Sequence, residues 1–315
     1  MYVPHIGQTT PFSIHIQHQH NMTLYAFLGA LEQGFLYGIM ALGVYLTFRI
    51  LDFPDLTVDG SLPLGASVSA VTITAGHSPY LALLLASMAG FLAGAVTAIL
   101  NTKLKILHLL ASILTMISLY SINIRIMGGP NVALLGTPSV LTDLENLGLP
   151  LYQLTPVFFF VVAALITTGL IWFLHTEYGQ AMLATGDNRQ MITSQGVNTD
   201  NVIIFGVGLS NALVAFSGAL IAQNQGAADV NMGVGTIVAG LASVILGETV
   251  FGKATIARAC IAVIVGSILY RTAIALALGS RLGSFSFTPS DLNLITAFLV
   301  IVALTSPMLK QRFTR

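Results

Sequence analysis

Phe53-Pro54-Asp55-Leu56-Thr57-Val58-Asp59-Gly60-Ser61-Leu62-Pro63-Leu64-Gly65-Ala66 lies between long apolar runs and carries carboxylates and prolines that such runs do not tolerate. Downstream, Ala228-Asp229-Val230-Asn231-Met232-Gly233-Val234-Gly235-Thr236-Ile237-Val238-Ala239-Gly240 answers it. Asp55 matches Asp229 and Ser69 matches Ser243 at an offset of 174 residues, while Gly60 and Gly65 match Gly235 and Gly240 at 175. Each stretch follows a full apolar span (24–48 and 201–222) and opens a short one. The pattern is a weak internal repeat whose two halves each contain a broken membrane segment.

The surroundings are apolar enough to require lipid. Of 315 residues, 12 are Lys or Arg and 12 Asp or Glu, so 8% are charged, while 55% are hydrophobic. Soluble chains carry roughly 25% charged residues, and a core of this length has no room for so much apolar surface. A net charge of zero with no basic patch excludes nucleic acid as a partner. One cysteine, Cys260, excludes an internal disulfide and a cysteine-clustered metal site.

A helix crosses the hydrocarbon core with about 20 apolar residues. The uncharged runs 33–48, 107–124, 153–174, 201–222 and 292–309 each qualify. The run 60–102 divides at Gly76-His77-Ser78-Pro79 into a short piece (61–75) and a full span (80–100). Residues 230–247 form a second short piece, and 254–277 is apolar except for Arg258 and Arg271. The expected fold is an all-α polytopic membrane protein of nine segments, two of them short or broken. The excess of Lys and Arg on cytoplasmic loops sets orientation. With the carboxyl terminus inside, Arg49, Lys103, Lys105, Arg189, Lys253, Arg258, Lys310, Arg312 and Arg315 are cytoplasmic, and Arg125, Arg271 and Arg281 are outside. The odd segment count then puts the amino terminus outside.

The expected organisation is a disordered His-rich tail (1–23), one transmembrane domain (24–310) and a cytoplasmic tail (311–315). Within the domain, halves 24–127 and 201–310 flank a cytoplasmic loop, 175–200. The tail's His15, His18 and His20 have spacing that suits a metal, with a disordered polar head the simpler reading, and Met22 is expected to be the biological start. No residue is assigned as a metal ligand or as catalytic.

Segments one to four correspond to six to nine, so the halves are expected to be inverted with respect to the membrane. Inverted halves with interrupted helices at matching places are a transporter's signature, because irregular backbone at membrane depth survives only where it lines a protein-walled or watery cavity. The expected translocation residues are Asp55, Thr57, Asp59, Gly60, Ser61, Gly65, Asn231, Gly233, Gly235 and Gly240. Gly38, Gly90 and Gly94 read instead as close-packing positions. Pro54 and Pro63 argue against one continuous helix. Asp59 or Ser61 would cap the segment 61–75; alternatively Asp55 and Asp59, four apart, would ligate a cation or relay a proton, and for Asp55 a cytoplasmic loop role is equally open.

The loop 175–200 is built for contact. Thr176 to Ala184 suits a short helix, Gly186-Asp187-Asn188 a turn and helix start, and Arg189 to Gln195 a second helical turn ended by Gly196. Tyr178, Met182, Met191 and Ile192 would give it an exposed apolar docking face; a solvated hairpin is the alternative. Gly179-Gln180-Ala181, then Ala184-Thr185-Gly186-Asp187-Asn188, then Gly196-Val197-Asn198-Thr199 resemble the coupling loop of permease subunits of ATP-binding-cassette importers, in the branch of the branched-chain amino-acid and ribose permeases. Glu32-Gln33-Gly34 and Gly43 through Ser61 resemble the subgroup labelled tryptophan/tyrosine transport permeases. The resemblance covers about residues 24–310.

What it implies is a pore of two permease copies, expected to be a homodimer, in the bacterial inner membrane. Two ATPase subunits bind inside and an extracytoplasmic binding protein delivers a small organic solute, expected to be aromatic-amino-acid-like. Tyr178, Gly179, Gln180, Ala181, Gly186, Asp187, Asn188, Arg189 and Gly196 would transmit ATPase closure. No cofactor belongs to this chain; ATP and Mg²⁺ would be bound by the partner ATPase. Gly247-Glu248-Thr249-Val250-Phe251-Gly252-Lys253 imitates a phosphate-binding loop, but Ala254 stands where Ser or Thr must bind Mg²⁺, and no strand precedes it.

Glu32 reads as an interfacial or pathway carboxylate, and Asn211, Asn224 and Asn231 as helix-bonding or solute-bonding amides. Arg271 would pair with an outer acid, and the loop 126–152, with Asp143 and Glu145, would receive the binding protein. Two further readings compete: an ion-coupled carrier working alone, and a membrane-embedded enzyme using Asp55 and Asp59.

Overall fold

The structure is a computed structural model that describes residues 12–142, 151–252, 254–279, 281–282, 285–286, 297, 301 and 305. Ten helices are described: α1 (Phe12–Tyr45), α2 (Val58–Thr74), α3 (Pro79–Thr102), α4 (His108–Met127), α5 (Leu151–Leu174), α6 (Glu177–Asp187), α7 (Arg189–Ser194), α8 (Thr199–Gln225), α9 (Thr236–Phe251) and α10 (Ile256–Gly279). Among the described residues, seven stretches are long and apolar enough to cross a membrane, and α2, at 17 residues, is not one of them. The chain is a helical, polytopic membrane protein. Of the expected last segment, 292–309, all but residues 297, 301 and 305 lie outside the described residues, as do Asp143, Glu145 and Lys253.

Two boundaries differ from expectation. Helix α1 starts at Phe12, so residues 12–23 continue the first helix where a disordered tail was expected; beyond Pro11 the sequence contains neither Gly nor Pro until Gly29, and nothing local stops the helix. Helix α2 incorporates Pro63 as an interior residue. Proline lacks an N–H and so frees a carbonyl one turn earlier, here that of Asp59. That carbonyl faces Gly233, where a Cβ would overlap it. The break expected in this stretch is displaced to residues 51–57, which precede the helix.

The halves interlock. Helix α8 of the second half packs along α2 and α3 of the first, while α1 of the first packs along α9 and α10 of the second. Lipid supplies no hydrophobic drive between helices, so close backbone approach through small residues sets these contacts. A Cβ at Gly65 would overlap the Ala215 carbonyl oxygen, and one at Gly218 would overlap that of Leu62. Gly90 and Gly94 meet α8 at Asn211 and Val207, and Gly38 meets Ile264, as close-packing positions should. Gly65 itself belongs with these: it is committed to packing.

A short antiparallel ladder, β1 (Asn131–Ala133) with β2 (Ala227–Asp229), ties the segment after α4 to the segment after α8 at one end of the bundle. At that end Asn224 donates to Glu32, as a helix-bonding amide would. Arg271 stacks on the Tyr37 ring, 3.4 Å from its centroid, and reaches Gln33 at 3.4 Å. The acid expected for Arg271 is replaced by an aromatic face, which attracts a guanidinium through its quadrupole.

Candidate functional site

The site is built where α2 and α9 begin. Asn211, near the middle of α8's 27 residues, receives Ser61 Oγ on its Oδ1 at 2.7 Å and donates from Nδ2 to Asp55 Oδ2 at 2.7 Å. Gln223, three turns further along α8, donates to Ser69 Oγ at 3.0 Å, so α2 and α8 run parallel. Helix α2 therefore starts at mid-bundle, and Asp55 lies at that depth, fully buried, outside any surface loop. Thr57 N–H donates to Asp55 Oδ1 at 2.9 Å, and Thr57 Oγ1 lies 2.8 Å from Thr97 Oγ1.

Asp59 does not cap its own helix. Its Oδ1 accepts from Ile237 N–H at 2.8 Å and Thr236 Oγ1 at 3.0 Å, and its Oδ2 from Gly235 N–H at 3.1 Å. These are the first donors of α9, whose N-cap, Gly235, has no side chain and sits at φ +76°. Only a residue without Cβ adopts that conformation cheaply. The first half thus supplies the cap of the second half's short helix, and two positive helix ends meet around one carboxylate. Asp55 and Asp229 each accept the N–H two residues on, from Thr57 at 2.9 Å and Asn231 at 2.7 Å. The repeated aspartates therefore make the same turn before each short helix.

Of the remaining expected pathway residues, Gly60 abuts Leu119 and Met116 on α4, Gly233 abuts Asp59, and Gly240 abuts Met40 and Val44 on α1. Asn231 is exposed in the turn before α9, and Ser61 is buried in the Asn211 network. Asp55, Thr57 and Ser61 are thus brought together with Asn211, while Asp59 faces the start of α9.

At the opposite end from the ladder, α6 and α7 form the expected helix, kink and helix. Asn188 caps α7 through Met191 N–H at 3.0 Å. Gly196, at φ +88°, closes it: Gly196 N–H donates to Thr193 O at 3.0 Å and Val197 N–H to Ile192 O at 3.3 Å. This double bond pattern satisfies the last carbonyls of the helix. Gly186 lies inside α6, where a turn was expected, and a Cβ there would overlap the Ile50 carbonyl oxygen. It meets a π-helical turn, Leu46–Ile50, that ends the first span. Gly179 similarly meets Phe173 and Leu174.

The docking face differs from expectation: Met182 and Ile192 are buried, Met182 against Gly206, leaving Tyr178 and Met191 exposed. A helix hairpin lying on its own bundle must bury one apolar stripe there. Tyr178 donates to Asn201 O at 3.3 Å, and partial desolvation raises its phenol above the ordinary value. Arg189 binds Asp200 at 2.6 Å, and Lys103 binds the same carboxylate at 3.1 Å. Ala181 and Gln180 lie on the same helix, with Gln180 Nε2 donating to Leu174 O at 2.8 Å.

These elements match a known family along almost their whole length. Residues 26–305 match the family described as branched-chain amino acid transport system / permease component. The chain belongs to that permease family. It is 44% identical to a tyrosine transport system permease protein of Clostridioides difficile, over 89% of this chain and 90% of that protein. It is 26% identical to the autoinducer 2 import system permease protein LsrC of Yersinia pseudotuberculosis, over 72% of this chain and 67% of that one. Among solved structures it resembles PsaBC from Streptococcus pneumoniae in complex with Fab, with TM-score 0.50, 17% identity, and coverage of 89% and 90%, a likeness of fold. The permease is a multi-pass inner-membrane protein, and its relatives are transport subunits, not enzymes.

In the permease the phosphate-loop look-alike is helical through Phe251, and a Cβ at Gly247 would overlap the Ala262 carbonyl oxygen, so the glycine is there for helix packing. Its Glu248 has another use, which sequence reasoning missed. Arg49 Nε donates to Glu248 Oε1 at 2.7 Å and Arg49 Nη2 to Oε2 at 2.6 Å, joining the end of the first span to the end of α9. No local signal connects residues 199 apart. Arg49 is 45% exposed, so solvent screens the pair. Arg49→Ala and Glu248→Ala are each expected to cost about 1 kcal/mol, and the double variant no more than either single one, in a double-mutant cycle on melting temperature.

Proposed function

We propose that the permease is the pore subunit of an ATP-binding-cassette importer for a small amino-acid-like solute, aromatic in character. The observation that carries this reading is the meeting of two short-helix amino termini around Asp59 at mid-bundle, on halves that exchange packing partners. That is the construction of an inverted-repeat transporter, in which the ends of discontinuous helices line the path and the halves rock about it. The full count of nine segments, with the amino terminus outside, belongs to the same reading.

The partners follow from the permease family and from the loop. Two ATPase subunits bind ATP and Mg²⁺ and engage Tyr178, Met191 and the polar surface of α6 and α7. An extracytoplasmic binding protein presents solute at the ladder end, and a second copy of the permease completes the pore. Gly186 against Ile50 supports rigid coupling, since a push on α6 is delivered directly to the backbone that ends the first span. The solute class draws on the tyrosine transport system relative. Both carboxylates are committed to protein donors, Asp55 to Thr57 and Asn211 and Asp59 to the start of α9, which weighs against an ion-coupled carrier.

The test is the reconstituted complex carrying Gly186→Trp with Arg189→Glu. Solute-stimulated ATP hydrolysis and uptake should fall together, by about tenfold or more, while the protein still inserts. Uptake that persisted unchanged without any ATPase would establish the carrier reading instead.

A further inference from the structure

A cavity of about 370 Å³ opens between the start of α2, the face of α4 and the turn before α9. Its size falls at the lower end of small-ligand pockets, about 300–1,000 Å³. Most of its wall is apolar, including Pro63, Met116, Ile117 and Val234, with a few polar groups converging on it. Asn123 lines it with a fully buried side chain; Nδ2 donates to Gly60 O at 3.3 Å, while Oδ1 has no hydrogen-bond partner among the described residues. An unpaired acceptor buried in a membrane protein is costly, and a ligand donor is one way to satisfy it. Asp59 borders the same space, with three donors on a carboxylate that offers about four acceptor positions. Tyr120 contributes a half-exposed ring, and Met116 a thioether of the kind that packs well against aromatic edges.

We infer that this cavity is a solute subsite for a primary-ammonium compound with a flat aromatic body, the ammonium bonded to Asn123 Oδ1 beside Asp59 and the ring lying against Tyr120 and Met116. The inference rests on the importer reading and deepens it by assigning residues that recognise the solute inside the membrane. An acceptor pair without a free cationic group suits an ammonium donor and not an anion. The apolar wall rewards a ring over a polar side chain. Asn123, Tyr120 and Met116 belong to α4, which the repeat pattern left unmarked because no carboxylate or glycine distinguishes it from a lipid-facing span.

The experiment uses the full chain with its partner subunits in proteoliposomes, in a Cys260→Ser background carrying Met116→Cys. The rate of maleimide labelling is read without ATP, with L-tyrosine as probe and 3-(4-hydroxyphenyl)propionate, which lacks the ammonium, as control. L-tyrosine should slow labelling by about tenfold, the effect of one charge-assisted hydrogen bond, and the control should not. Adding Asn123→Leu should abolish the protection while the cysteine stays reactive, which shows the cavity intact; Asn123→Asp should restore it. Equal protection by the control, protection surviving Asn123→Leu, no protection by L-tyrosine, or a cysteine that never reacts would each overturn the inference. Absence of ATP-driven uptake by the unmodified complex would instead sink the importer reading, and the labelling would still report on the cavity.

Discussion

Asp59→Ala lowers the melting temperature of the detergent-solubilised permease by roughly 4–5 °C, the shift that about 3 kcal/mol gives at an unfolding entropy of about 2.1 cal/mol/K per residue. The substitution strips Ile237 N–H and Gly235 N–H of their acceptor at once, while Thr236 Oγ1 loses Asp59 and keeps the Gly233 carbonyl at 3.0 Å. An unsatisfied donor costs about 1–3 kcal/mol in a protein interior, and the glycine N-cap of α9 has no side chain to take over. Asp59→Asn keeps one acceptor oxygen and should lose about half as much. The turn at residues 230–235 should become sensitive to protease at the same time, because Asp59 is what holds the start of α9 in place. A melting temperature within about 2 °C of the unmodified protein would show that the three bonds are replaced by water from the cavity.

Gly65→Val should be worse. Its Cβ would occupy the position of the Ala215 carbonyl oxygen, and neither α2 nor α8 can yield without separating along their shared length. Overpacking costs about 1–3 kcal/mol where side chains can adjust; here the obstacle is backbone, and the neighbouring Ser61, Asn211 and Asp55 bonds depend on the same approach. The variant is expected not to accumulate in membranes at the level of the unmodified chain. Gly169→Val, on α5 with open space around its Cβ, is the control that should accumulate normally. Equal membrane levels for the two variants, measured by quantitative blotting, would mean that α2 is not held where the packing places it.

How much of this was legible depends on the range of the interaction. Gly196 could be read as a helix stop because the positive φ it supplies is a one-residue property, and Asn188 as a helix start for the same local reason. The aspartates at 55 and 229 could be paired by their spacing, and both turn out to accept the N–H two residues on. The partners of Asp59 could not be read. A capping residue is recognised by its place just before its own helix, and Asp59 caps one whose first residue lies 177 positions away. Pro63 misled for a related reason: its cost in a helix is local, but the Asp59 carbonyl it frees is given room by a glycine, Gly233, of the other half. Met182 and Ile192 read as exposed in the sequence because an apolar stripe on a short polar hairpin looks alike whether it meets a partner or the chain's own bundle.

The sequence alone determined that this chain lives in lipid, where the seven spans found among the described residues fall, and that two short helices begin at turns of matching sequence, because hydrophobic length, charge scarcity and turn chemistry act over a few residues at a time. Only the tertiary structure decided what the breaks are for. Hydrogen bonds and close glycine contacts between distant segments carry no sequence spacing of their own, and it is these that set Asp59 on α9, Asn211 between Asp55 and Ser61, and Asn123 on the wall of the cavity.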